Sequence, residues 1–180
     1  LRRQFHLQPD SRHADRHGPE ATAGRPDEQG TYRDAEAAYR WLVEVKKVPA
    51  SRIALYGESL GGAVALELAM RHKAAGLILD SSFTSVVDMG KRVFPFLPID
   101  WMVRFRYDNL SKIGRLSMPL LVMHSPQDDI VPYGMGRRLY EAAPQPKAFF
   151  EMKGSHNDGF MDTGPAYGQA IANFLRGLRP

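Results

Sequence analysis

The sequence contains no cysteine. Disulfides and thiolate metal sites are therefore excluded, and the composition suits a reducing compartment, with a cytoplasmic location as the expectation. No apolar run approaches the roughly 20 residues that cross a bilayer, so no membrane span is predicted, and no signal-peptide pattern opens the chain. Charge of one sign is also scarce: 24 Lys and Arg against 20 Asp and Glu leave a formal net charge of +4. The basic residues are dispersed, without a stripe interleaved with aromatics, which argues against nucleic acid as a partner. Residues 8–30 hold no Val, Ile, Leu, Met, Phe, Tyr or Trp. Such a stretch buries too little apolar surface to offset its ordering entropy, so 1–28 reads as a loose segment. His13 and His17, with Asp10 and Asp15 close by, imitate a metal site. With no helix or strand to hold them a solvated tail is expected, and no metal or other cofactor is predicted. A chain of 180 residues suits one domain, which leaves 29–180 as the folded part.

What the chain does have is centred on Ile53-Ala54-Leu55-Tyr56 followed by Gly57-Glu58-Ser59-Leu60-Gly61-Gly62. An apolar run of strand length meets Gly-x-Ser-x-Gly, and an alanine-rich helical stretch leaves from the other side. A serine on such a tight turn projects its hydroxyl where a base can reach it. The glycines are expected because a Cβ there would collide with the neighbouring strand or helix. A chain of this glycine and serine content carries the bare pattern by chance in roughly one case in twelve, so the flanks decide. Gly61, Gly62, Ala63, Ala65 and Ala69 suit a helix pressed closely on a sheet, and Arg71, His72 and Lys73 suit its C-terminal end.

Around this turn the order is α/β. Thr31-Tyr32-Arg33-Asp34 resembles a capping box, and Tyr32, Ala35, Tyr39, Leu42 and Val43 recur at helical spacing up to Val48-Pro49, with Glu36 set to pair with Arg40. Strands are predicted at 76–80, 119–124 and 148–152, and helices at 133–143 and 167–178, the last burying Ile171, Phe174, Leu175 and Leu178. Together they imply a mostly parallel sheet flanked by helices on both faces. Between the second and third strands, 81–117 reads as a cap-like insertion. Most of its aromatics are expected to pack on the sheet, while Phe83, Trp101 and Phe105 are candidates for a substrate pocket.

Functional groups in such sheets gather at the carboxyl ends of the strands. Those positions hold Ser59, then Asp128 or Asp129, then His156. Three strand ends supplying a nucleophile, an acid and a base in that order point to nucleophilic catalysis, with His156 taking the Ser59 proton and the carboxylate fixing the imidazole tautomer. An inward turn of Ile130 and Val131 favours Asp128 over an exposed Asp129. His124 precedes the acid loop and reads as structural, and His72 as a helix end.

Gly57-Glu58-Ser59-Leu60-Gly61-Gly62, Phe83-Thr84-Ser85, His124 through Pro132 and Gly154-Ser155-His156-Asn157-Asp158 resemble the α/β-hydrolase superfamily, in its serine aminopeptidase and prolyl-oligopeptidase-like branch, which includes the bud-emergence-type hydrolases. Gly24-Arg25-Pro26 and the run from Tyr32 to Ala38 also match. The resemblance implies the C-terminal part of an α/β-hydrolase fold, truncated at its N-terminus. It further implies a cofactor-free serine hydrolase acting on esters, thioesters or amides of small-molecule, acyl or peptidyl substrates, with Ser59 as nucleophile, Asp128 as acid and His156 as base. The strands and the His-Gly turn that precede the elbow helix in that branch are missing. His17-Gly18 is followed by Pro19, which has no N–H to give, so Leu60 N–H is the one identifiable oxyanion donor. The missing strands would bare 53–56 as an apolar edge for self-association. A catalytically weak remnant acting as a binding or oligomerising domain is the alternative. The abrupt change of composition near Thr22 is what a shifted reading frame or misplaced start would produce.

Overall fold

Each short apolar run becomes a strand of five residues. The computed structural model describes residues 27–178. Strands β1 (Ala54–Glu58), β2 (Gly76–Asp80), β3 (Leu120–His124) and β4 (Lys147–Glu151) lie side by side in that order, all parallel. Parallel neighbours need crossover connections, and helices supply them. Helix α1 (Glu28–Arg40) precedes β1, and α2 (Leu60–Arg71) joins β1 to β2. The longer excursion α3 (Val86–Val93), α4 (Ile99–Met102) and α5 (Leu110–Ile113) joins β2 to β3, α6 (Tyr133–Ala142) joins β3 to β4, and α7 (Gly159–Thr163) and α8 (Pro165–Gly177) follow.

Strands β2 and β3 are buried at every residue, whereas β1 and β4 are buried only in part, as their central and edge places require. Alternation divides the core. Leu77, Leu79, Leu120 and Val122 meet Leu66 and Leu68 of α2, Ile113 of α5 and Leu139 of α6. Ile78, Leu121 and Met123 lie in a second cluster with Tyr167, Ile171 and Phe174 of α8. Beside β1, whose outer edge has no strand partner among the described residues, runs an apolar groove of about 430 Å³ lined by Ala35, Leu42, Leu55, Val64 and Leu68 among others.

Several boundaries differ from expectation. Helix α1 starts one turn before Thr31, because Asp27 makes the cap by accepting the Gly30 N–H at 2.6 Å, while the Thr31 hydroxyl donates back to the Glu28 carbonyl. Its far end widens into a π-helical turn over Trp41–Val45. In α8, Leu175 is 40 % exposed, so the buried stripe is narrower than predicted. The segment 1–26, with His13, His17, Asp10, Asp15, His17-Gly18-Pro19 and Gly24-Arg25-Pro26, lies outside the described residues.

The excursion between β2 and β3 is closed at its neck. Val86 N–H donates to the Arg106 carbonyl, and the Glu28 carboxylate accepts from the N–H groups of Arg106 and Tyr107. The expected burial of its aromatics holds for Phe83 and Tyr107, though against Tyr32 of α1, Ala63 of α2, Val131 and Met135 rather than on the strands. It fails for Phe94, Phe96 and Trp101, which stand exposed. The reason is local: Pro95 and Pro98 interrupt the helical run, and the short α4 folds back on α3 rather than on the sheet.

Candidate active site

All four strands point the same way, so the residues that follow them share one edge of the sheet. Ser59 follows β1, and its backbone is tied to the end of β2: its N–H donates to the Asp80 carbonyl at 2.8 Å, and its carbonyl accepts the Ser82 hydroxyl at 3.0 Å. Ser59 holds φ 49° and ψ −117°, a conformation that a non-glycine residue adopts only at a cost on the order of 1–3 kcal/mol. The turn is tight enough to forbid a side chain at Gly57, where a Cβ would sit 2.2 Å from the Gly61 carbonyl oxygen. The same expectation fails at Gly61, where an added Cβ would meet nothing within 4 Å because the residue faces the open groove beside β1.

Asp128 and His156 meet. His156 Nδ1 lies 2.8 Å from Asp128 Oδ2, and since a carboxylate only accepts, the ring nitrogen donates and Nε2 keeps its lone pair. The other oxygen of Asp128 accepts the N–H groups of Ile130 and Val131 at 2.9 and 2.7 Å. Burial alone would push this carboxyl up. The hydrogen bonds from His124, His156, Val131 and Ile130 outweigh it and hold the group at about 2, ionised throughout the neutral range. The inward turn after Asp128 is made by Val131 alone, since Ile130 is half exposed.

The loops that carry these two residues are stitched together. The loop after β4 bends at Gly154, whose φ of 88° suits glycine and where a Cβ would meet Asp162. Ser125 donates its hydroxyl to the Gly154 carbonyl, and Asp129 accepts the backbone N–H of His156 at 3.0 Å. Asp129 is thus more than an exposed neighbour: it holds the backbone of the His156 loop.

Between His156 and Glu58, the residue before Ser59, lies a cavity of about 220 Å³, whose walls also include Asp80, Phe160 and Tyr167. Among the described residues no hydrogen bond joins the Ser59 hydroxyl to His156, whose hydrogen bonds run to Asp128 and Asp129. Phe83, Trp101 and Phe105 do not line this cavity: Phe83 is core, Phe105 packs against that core, and Trp101 is exposed. Leu60, half exposed, opens α2 with its N–H in the first turn. Among the described residues no group of three or more His, Asp or Glu side chains could hold a metal.

Two further features shape this edge of the sheet: His124, read as structural from its place before the acid loop, and Asp80, which the sequence did not single out. His124 is fully buried, with Nε2 3.0 Å from the Val131 carbonyl and 3.3 Å from Asp128 Oδ2. Among the described residues its Nδ1 has no hydrogen-bond partner, and it faces Gly136, where a Cβ would intrude to 2.2 Å. The ring therefore carries its proton on Nε2 and braces the acid loop. The second feature is Asp80, buried at the end of β2, which accepts from the hydroxyls of Tyr167 and Tyr56 at 2.7 and 3.1 Å. Burial, with Asp80 adding and Tyr56 opposing, pushes the Tyr167 hydroxyl up to about 12. A carboxylate closing a fully apolar strand was a visible signal for Asp80; the distant Tyr167 gave none.

Comparison with known proteins agrees with this architecture. A family model described as the alpha/beta hydrolase fold matches residues 27–92. The uncharacterized protein Rv2307c of Mycobacterium tuberculosis is 40% identical over 153 residues, covering 84% of this chain and 54% of that protein. The alpha/beta hydrolase domain-containing protein WAV2 of Arabidopsis thaliana is 31% identical over 179 residues, covering 89% and 58%. The esterase domain of a Rhodothermus marinus protein superposes with a TM-score of 0.66 at 20% identity, over 87% of this chain and 71% of that one. The chain spans about half the length of the curated relatives it matches.

Proposed function

We propose that this chain, which carries the α/β-hydrolase fold, is the catalytic part of a serine hydrolase that splits carboxylic ester, thioester or amide bonds through Ser59, His156 and Asp128. The observation that carries this reading is the His156–Asp128 pair at 2.8 Å, which leaves Nε2 bare on the same sheet edge as a strained, partly exposed serine. Ser59 Oγ attacks the carbonyl carbon while its proton passes to His156 Nε2. The bond to the leaving group then breaks, that group takes the proton from His156, and an ester on Ser59 remains. Water repeats the sequence in reverse roles and frees the acid. The Leu60 N–H stabilises the oxyanion, and Asp128 stabilises the transient imidazolium.

The experiment is labelling with a fluorophosphonate probe. Labelling lost in Ser59→Ala and strongly slowed in His156→Ala supports the reading. A folded protein that takes no label, or takes it elsewhere, overturns it.

The edge of β1, unpaired among the described residues, and the apolar groove beside it favour a second reading, a weak catalyst that self-associates through that edge. Leu60 is the one oxyanion donor identified among the described residues, and loss of one such donor costs about 10² to 10³ in turnover. Slow labelling by a concentration-dependent oligomer supports this reading; brisk labelling by a monomer opposes it.

A further inference from the structure

The least accommodated surface of the molecule is the tip of the excursion between β2 and β3. Phe96 is 97% and Trp101 91% exposed, and Val93, Phe94, Leu97 and Met102 are exposed around them. Scattered exposed apolar residues are ordinary; six within ten positions, two of them nearly bare aromatics, are not. The tip is nevertheless held in place. Ile99 is buried against Gly90, where a Cβ would lie 2.7 Å from it, so α3 and α4 form a closed hairpin. Lys91 bridges Asp100 at 2.7 Å, and the neck is bound by the Val86–Arg106 and Glu28 hydrogen bonds. Apolar side chains are therefore presented outward on a fastened mount.

Charge identifies what such a mount fits. Within residues 91–106 the basic residues are Lys91, Arg92, Arg104 and Arg106, against the single acid Asp100, which Lys91 already neutralises; just outside this stretch Asp88 pairs with Arg138 and Asp108 accepts the Ser111 N–H. Aromatic and aliphatic side chains ringed by Lys and Arg match an anionic lipid surface: the rings enter the headgroup layer while the cations stay among the phosphates. No helix among the described residues is long and apolar enough to cross a membrane, and the contact such a mount makes is one of these side chains with the lipid surface. We propose that residues 91–106 form a docking tip for an anionic lipid bilayer, with Phe96 and Trp101 as the inserting groups. This assignment does not depend on the chemistry of Ser59.

The test is flotation of the whole chain with vesicles of phosphatidylcholine and of an equimolar phosphatidylcholine–phosphatidylserine mixture, alongside Trp101 fluorescence in a Trp41→Phe background. Each basic residue near an anionic surface strengthens binding about fivefold, so the surplus of three charges predicts a preference of about a hundredfold for the anionic vesicles, weakened by salt. Trp101 emission should shift to the blue on binding. Phe96→Ser with Trp101→Ser, both at solvent-exposed positions, should reduce binding roughly tenfold or more with unchanged thermal unfolding. Arg92→Glu with Arg104→Glu should remove most of the preference for anionic lipid. Absence of binding to the anionic vesicles, equal binding to both kinds, or binding untouched by the serine variants would overturn the proposal. So would self-association in vesicle-free solution that the serine variants abolish, since the face would then belong to a second copy.

Discussion

Replacing Asp128 by Asn probes the centre of the proposed site with the smallest change of shape. One oxygen of Asp128 accepts two backbone N–H groups, from Ile130 and Val131, and an amide oxygen can keep both bonds. The amide nitrogen is then turned toward His156 Nδ1, now 2.8 Å from Oδ2. Donor cannot face donor, so the ring must shift its proton to Nε2, the atom that has to accept from Ser59. The expected loss in kcat is about 10⁴, or about 5 kcal/mol, as in serine-hydrolase templates where this carboxylate is neutralised. Asp129→Asn keeps its oxygen for the His156 N–H and should cost no more than a few-fold. Turnover of a p-nitrophenyl ester, read beside the fluorophosphonate labelling rate and thermal unfolding, separates the two. Equal losses from both variants at equal stability would refute the assignment of the acid.

The depressed carboxyl of Asp128 also predicts a direction in acid. Its folded value of about 2 lies below the ordinary 3.8, so the stabilisation, on the order of 2 kcal/mol, is present above pH ~4 and lost as pH falls toward 2. Urea unfolding of the native protein and Asp128→Asn should therefore differ more at about pH 6 than at about pH 3. At the elbow, Gly57→Ala should cost about 3 kcal/mol or prevent folding, because its Cβ would overlap the Gly61 carbonyl, whereas Gly61→Ala should lie within about 0.5 kcal/mol; similar unfolding midpoints for the two would contradict the tight turn. His124→Ala leaves the Val131 carbonyl unpaired and unbraces the acid loop, lowering kcat about tenfold or more with KM little changed. His124→Gln, which can return a donor toward that carbonyl, should recover part of the loss, and an equal fall for both would point to packing alone.

The local chemistry of this protein was legible in its residues. The Gly-x-Ser-x-Gly turn, the small residues behind it and the short apolar strands each follow from steric limits and hydrophobic alternation that act over a few positions. Strand polarity then brought Ser59, Asp128 and His156 to one edge, which their places after strands already implied. What packing alone decided acts between distant segments. Asp129 was free to be a bystander until the loop after β4 folded onto it, and the structural role of His124 took its form only where Gly136 lets its ring lie against α6. Tyr56 and Tyr167 are 111 positions apart, and the buried Asp80 carboxylate draws their hydroxyls together. The aromatics at 94–101 looked like core by composition, yet the α3–α4 hairpin closes on Ile99 and leaves them outside. Periodicity tells which side chains seek burial; only the shape of the folded chain settles which of them find room.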